Sequence, residues 1–194
     1  MGVGATRQPG MSLWVVRHAQ PLIAPGICYG ALDVPADPLA TQKAAQALAQ
    51  VLPFGAQLRC SVLQRCELLP HYLCALRPDL ICKPEPRLVE MNFGTFEGVA
   101  WADISKDALD AWTADFCHHR FGGQESVADF MARVAAVWDE CVMPTPLQPD
   151  QVWITHAGVA RAAVLLEQGI RMPQNAAQWP EHAPDFGDWI RLGA

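Results

Sequence analysis

Two short apolar runs in this chain each break into a histidine. Leu13-Trp14-Val15-Val16 passes into Arg17-His18, and Val152-Trp153-Ile154-Thr155 passes into His156. Apolar, partly β-branched segments of this length read as buried strands, the first stopped by Pro21, Pro25 and Gly26, the second opening into a helix over Val159–Leu166. Between them the same alternation continues. Asp37-Pro38 is an N-cap with proline at the first helical position, and the helix it starts ends near Leu52-Pro53. Gln57–Val62 reads as a strand and Leu63–Leu76 as a helix with Arg65 in its first turn, where Pro70 predicts a kink or a delayed start. Leu80–Cys82 is a third strand and Asp107–Phe116 a helix. Ser126 caps a longer helix whose Val127, Phe130, Met131, Val134, Val137, Trp138 and Cys141 form an apolar stripe that reads as core. Asp188–Leu192 closes the series as a strand. Strands alternating with helices predict an α/β fold of three layers, α/β/α, with a mostly parallel central sheet and helices on both faces. In such sheets ligands sit outside the carboxyl ends of the strands, so both histidines are expected at one pocket.

At 194 residues and 51% hydrophobic the chain is long enough for one sizeable core. One domain over 12–194 is expected, preceded by a small, polar, Gly-rich tail over 1–11 that lacks the apolar segment of a leader. A net charge of −6 argues against a nucleic-acid binder, since phosphate-backbone affinity comes from accumulated lysine and arginine. No apolar run reaches the length of a membrane span. Seven cysteines without regular spacing fit a reducing compartment, so a cytoplasmic location is expected.

Arg17, His18, Arg65, Glu90 and His156 together describe a site for phosphoryl transfer. A transferring phosphoryl group carries its charge on oxygens that planar guanidinium forks bind two at a time. An imidazole can attack phosphorus directly, and a carboxyl group can protonate the leaving alcohol. Glu90 is the candidate acid, while Glu97, between glycines and aromatics, reads as a structural ion-pair residue and Arg161 as support for its own helix. Tyr29 and Trp101 either line the leaving-group site or cover the core. Cys117-His118-His119 lacks the second ligand pair that structural zinc requires. No metal and no cofactor is expected.

Arg17-His18-Ala19-Gln20, Ser61-Val62-Leu63-Gln64-Arg65, Leu88-Val89-Glu90 with Phe93-Gly94-Thr95-Phe96-Glu97-Gly98, and Thr155-His156-Ala157-Gly158 follow one another in the order found in the histidine phosphatase, or phosphoglycerate mutase-like, superfamily. The chain resembles that family from Leu13 to about Arg161. Its loop Gly26-Ile27-Cys28-Tyr29-Gly30 with Asp33-Val34-Pro35 is most similar to the bacterial α-ribazole phosphatase branch. The resemblance implies a phosphoglycerate mutase-like fold, His18 as phosphorylated nucleophile, Arg17, Arg65 and His156 as phosphate clamp, and Glu90 as acid and then base. It also puts Gln20, Tyr29, Gly30 and Ala157 among the substrate contacts. Three positions depart from the family pattern: Ala19 replaces glycine, Pro21 replaces a hydroxyl residue, and Ala24 stands where many members have asparagine. The activity implied is metal-independent hydrolysis of a small phosphate monoester, with α-ribazole 5′-phosphate as the named substrate. A mutase, a protein phosphohistidine phosphatase and a catalytically silent phosphate-binding module are the alternatives. The expected partner is a small molecule, with neither nucleic acid nor membrane, and a homodimer is the assembly considered.

Overall fold

The computed structural model describes residues 12–141 and 148–193, so the tail expected over 1–11 lies outside the described residues. Among these residues β1 (Leu13–Arg17), β2 (Gln57–Cys60), β3 (Ile81–Pro84), β4 (Gln151–Thr155) and β5 (Trp189–Leu192) form one sheet in the order β3-β2-β4-β1-β5. The first four strands are parallel, and β5 runs antiparallel against β1. The helices are α1 (Pro38–Val51), α2 (Gln64–Leu76), α3 (Lys106–Ala114), α4 (Val127–Cys141) and α5 (Ala157–Glu167).

Successive side chains of a strand point to opposite faces, and here each face finds its own core. Leu13 and Val15 of β1 and Trp153 of β4 pack with Phe130, Met131 and Val134 of α4 and Val159 and Ala162 of α5. Trp14 and Val16 with Val152 and Ile154 pack on the other side with Ala45 and Leu48 of α1 and Leu69 and Leu73 of α2. The fold is the expected three-layer α/β/α arrangement with a mostly parallel central sheet. The helix after β1 covers one face and the helix after β4 the other, and these two strands are neighbours. A crevice opens at the carboxyl ends of such a pair.

The helix starts follow from local chemistry. Asp37 Oδ1 accepts the Ala40 amide at 2.7 Å at the head of α1. Ser126 Oγ accepts the Asp129 amide at 3.1 Å while the Asp129 carboxylate accepts the Ser126 amide at 3.2 Å, a reciprocal cap for α4. Pro70 neither delays nor divides α2, which runs unbroken from Gln64 to Leu76. The carbonyl that Pro70 leaves without its helical partner, Cys66 O, accepts instead from the Cys60 thiol at 3.4 Å. The last rung of the β2–β4 ladder is the Ser61 amide, which donates to the Ile154 carbonyl at 2.9 Å. No described helix is long and apolar enough to cross a membrane.

Candidate functional site

The register of β1 on β4 sets Arg17 beside Thr155, so the residues that follow, His18 and His156, emerge side by side. Their rings lie 5.2 Å apart at 61°. His18 Nδ1 is 2.7 Å from the Ala19 carbonyl. A carbonyl only accepts, so Nδ1 carries the proton and Nε2 holds the lone pair. Burial, reinforced by the charges of Arg65 and Arg17, pushes the His18 pKa down to about 3. The ring is therefore neutral at physiological pH.

His156 is held by a different logic. Its Nδ1 accepts from Arg65 Nε at 3.1 Å, so the proton is on Nε2, which reaches Ser61 Oγ at 2.8 Å. Burial, with the Arg65 charge second, drives its pKa well below the ordinary value. Both ring nitrogens are engaged by the protein, and His156 is absent from the cavity lining. The structure places this expected clamp residue directly against Arg65.

Arg65, the second residue of α2, is 0% exposed. Besides His156 it donates to the Leu32 carbonyl through Nη1 at 2.8 Å and to the Gly30 carbonyl through Nη2. Arg17 donates through Nη1 to the Pro184 carbonyl at 3.0 Å and stacks on Phe186, with its guanidinium carbon 3.8 Å from the ring centre. Its Nε is buried with no partner. Neither arginine has a carboxylate partner among the described residues, and a buried cation without an anion is costly. Glu90 is the carboxylate that shares their cavity.

Glu90 follows a 3-10 turn over Pro86–Leu88. Arg133 of α4 fixes that segment, donating to the carbonyls of Arg87, Val89 and Glu90 while pairing with Glu125. The carboxylate accepts the Met91 amide at 3.0 Å through Oε1 and the Gly158 amide at 2.8 Å through Oε2. It thereby sits at the amino end of α5, in the wall of the same cavity as His18, Arg17 and Arg65.

This geometry has known relatives. The family model for the histidine phosphatase superfamily (branch 1) matches residues 13–184. The chain belongs to this superfamily. A provisionally named alpha-ribazole-5′-P phosphatase from Escherichia coli str. K-12 is similar in structure, with 25% identity and a TM-score of 0.76 over 94% of this chain and 89% of that one. So is mycobacterial glucosyl-3-phosphoglycerate phosphatase in complex with VO3, at 25% identity and a TM-score of 0.76, covering 93% and 92% of the two chains. No curated protein matches the sequence.

Within this histidine phosphatase frame two of the three departures, Ala19 and Pro21, take on structural roles. Ala19 is buried and its carbonyl fixes the His18 tautomer. Pro21 pairs with Ala36 at the base of the following loop, and Ala24 is exposed on it. That loop returns to the site through its backbone. Its Gly30 and Leu32 carbonyls hold Arg65, and Asp33 caps α2 by accepting the Gln64 amide at 2.8 Å.

Of the expected substrate contacts, Tyr29 and Ala157 line the cavity and Gln20 and Gly30 do not. Gln20 is exposed, its side-chain amide reaching only the Pro21 carbonyl. Gly30 is needed for close packing: a β-carbon there would lie 1.8 Å from the Met91 carbonyl oxygen. Tyr29 stands 5.3 Å from the Arg65 guanidinium, and burial pushes its phenol pKa up against the pull of Arg17 and Arg65. Glu97 is a loop tie in place of the expected ion pair, accepting the Ala31 and Phe93 amides at 2.8 Å each. Cys117 is buried while His118 is exposed.

Sequence reasoning missed Arg161. It was expected to support its helix, yet it lines the cavity with Nε buried and unpartnered, held through Nη2 by the Glu181 carbonyl at 3.1 Å. Its spacing of four from Ala157 was the available signal, since residues at i and i+4 share a helix face.

Proposed function

We propose that this chain is a metal-independent phosphomonoesterase that hydrolyses a small phosphorylated metabolite through a phosphohistidine intermediate. The observation that carries the reading is a neutral imidazole facing three lining guanidinium groups, Arg17, Arg65 and Arg161, whose hydrogen-bond partners are backbone carbonyls and an imidazole. Arg17 and Arg65 hold the phosphoryl oxygens, and His156 and Ser61 hold Arg65 in place. His18 Nε2 then attacks phosphorus as the bond to the leaving alcohol breaks. Glu90 gives that alcohol its proton. The Nδ1–H donated to Ala19 stabilises the positive charge that develops on the ring. In the second half-reaction Glu90 takes a proton from water, which attacks phosphorus, returning neutral His18 and releasing inorganic phosphate.

α-Ribazole 5′-phosphate is the substrate named for this site. The E. coli relative's name and the loop from Gly26 to Pro35 support it. A second reading, a phosphate-holding module without turnover, is favoured by Pro21 standing where the family pattern has a hydroxyl. The test is incubation of wild type and His18→Ala with p-nitrophenyl phosphate in EDTA, with a denaturing quench at alkaline pH to preserve the acid-labile phosphohistidine. Turnover and trapped phosphoenzyme, both lost in the variant, are expected. Phosphate binding by folded wild-type protein with neither signal would leave the silent module standing.

A further inference from the structure

The cavity, about 290 Å³, has two unlike halves. One holds the guanidinium groups, His18 and Glu90. The other is walled by Phe93, Trp101, Trp112, Phe116, Phe130 and Trp179, with no charged side chain in that wall. These rings are braced from behind. Phe121, fully buried, stacks on Trp112 at 4.5 Å and 19° and on Trp101 at 6.0 Å and 7°, and meets Phe93 edge-on at 6.0 Å. Phe116 meets Trp179 edge-on at 5.9 Å on the far side. A wall of interlocked rings is set before a ligand arrives, so its shape selects.

Its polar content is the second observation. Five buried side-chain polar atoms among the described residues lack a partner, and three of them belong to residues lining this cavity: Arg17 Nε, Arg161 Nε and Trp112 Nε1. All three are donors. Those of Arg17 and Arg161 match an oxyanion, whereas that of Trp112 belongs to a ring of the aromatic wall, whose centre is 6.1 Å from that of Phe93 and which stacks at 5.7 Å on Phe116. A sugar or a phosphoglycerate carries several hydroxyls or a carboxylate beyond its phosphate, and this wall would strip their water while offering one N–H in return. A planar ring loses little on entering and gains stacking on every side.

Resting on the phosphatase reading above, we propose that the leaving alcohol carries a planar aromatic or heteroaromatic ring, seated against this wall with an acceptor atom toward Trp112. The wall then discriminates by the leaving group, and the arginines by the phosphate.

The test compares 2-(2-naphthyl)ethyl phosphate with propyl phosphate, whose alcohols have similar acidity, so intrinsic reactivity does not bias the result. Glucose 6-phosphate is the polyhydroxylated control. The corresponding naphthylethyl- and propylphosphonates, which cannot be hydrolysed, are titrated by calorimetry to read binding without turnover. The expected result is a kcat/KM ratio of at least about tenfold in favour of the naphthyl ester, with a similar ratio in phosphonate affinity. Trp112→Leu and, at the partly exposed rim, Trp101→Leu should each collapse that ratio, and a ratio within one variant is insensitive to how much of it is folded. Turnover of all three esters without preference would overturn this inference and leave the phosphatase reading intact. Preference in phosphonate binding with no ester turned over would do the reverse. Neither turnover nor preference would sink both.

Discussion

Glu90 and Gly158 touch so closely that any side chain at 158 would have to displace the Glu90 carboxylate. Glu90 Oε2 accepts the Gly158 amide at 2.8 Å, and a β-carbon built on Gly158 would lie 2.2 Å from Oε1. Gly158 is the second residue of α5 and its φ is not in the left-handed region, so alanine suits the backbone there. The obstructing atoms are the end of a flexible side chain, and Gly158→Ala should displace the carboxylate while the protein stays folded. The expected outcome is a melting temperature unchanged or slightly raised and kcat lowered by about a hundredfold, the scale of a misplaced acid–base group. Wild-type kcat in this variant would show that the carboxylate's position here is immaterial.

Arg65→Lys tests whether the fork, beyond the charge, builds the site. Lysine keeps the cation but cannot reach His156, Gly30 and Leu32 at once, and its point charge binds two oxygens less well. Affinity for inorganic phosphate, read by calorimetry, should fall by about ten- to a hundredfold. An equal affinity in folded protein would mean that the buried charge alone suffices.

The layered fold and the meeting of His18 with His156 were legible because each rests on chain-local chemistry: apolar runs ending in polar residues, capped helix starts, and the rule that parallel strands share a carboxyl edge. What stayed illegible depends on contacts between distant segments. That His156 spends both nitrogens on Arg65 and Ser61 needs two segments some ninety residues apart brought together. Phe186, which stacks under Arg17 and lies 5.5 Å from the His18 ring, comes from a stretch with little motif character. The stripe on α4 is core, as its periodicity predicts, yet Val127 and Phe130 also face the cavity, because a helix buried beside a pocket shows the same periodicity as one buried in a core. Gln20 and Gly30 are expected contacts through the family resemblance, which cannot say whether a loop residue turns its side chain or its carbonyl inward.

Acid should destabilise the unliganded protein. The ordinary imidazole value is 6.5, and burial holds His18 at about 3 and His156 well below 6.5 in the fold. As pH falls below 6.5 the unfolded chain takes up protons that the fold refuses, so stability is full above 6.5 and is lost on acidification toward 3. Chemical denaturation at pH 7.5 and pH 5.0 should show a lower midpoint at pH 5.0, with proton uptake on unfolding approaching two from this pair. Replacing both histidines by glutamine should flatten the dependence between those pH values. A midpoint that stays level in wild type would mean that the rings are protonated in the fold.

Asp33 offers a way to disturb Arg65 without touching it. The cap residue of α2, Leu63, has no side-chain oxygen to offer, and the first helical amide, Gln64 N, is satisfied by Asp33 from a loop thirty-one positions earlier, whose other oxygen takes the Gln64 side chain at 3.0 Å. Arg65 is the next residue, and the Gly30 and Leu32 carbonyls that hold it belong to the same loop. Asp33→Ala removes a helix cap, expected to cost about 1 kcal/mol of stability. It also unties loop from helix at the point where the guanidinium is aimed. Steady-state kinetics on p-nitrophenyl phosphate should therefore show KM raised by more than kcat is lowered, because the clamp is loosened while His18 and Glu90 keep their own anchors. Asp33→Asn, which retains one accepting oxygen and a donor, should recover most of the stability and part of the KM. A fall in kcat at unchanged KM would place the effect of Asp33 on the chemical step and separate it from Arg65.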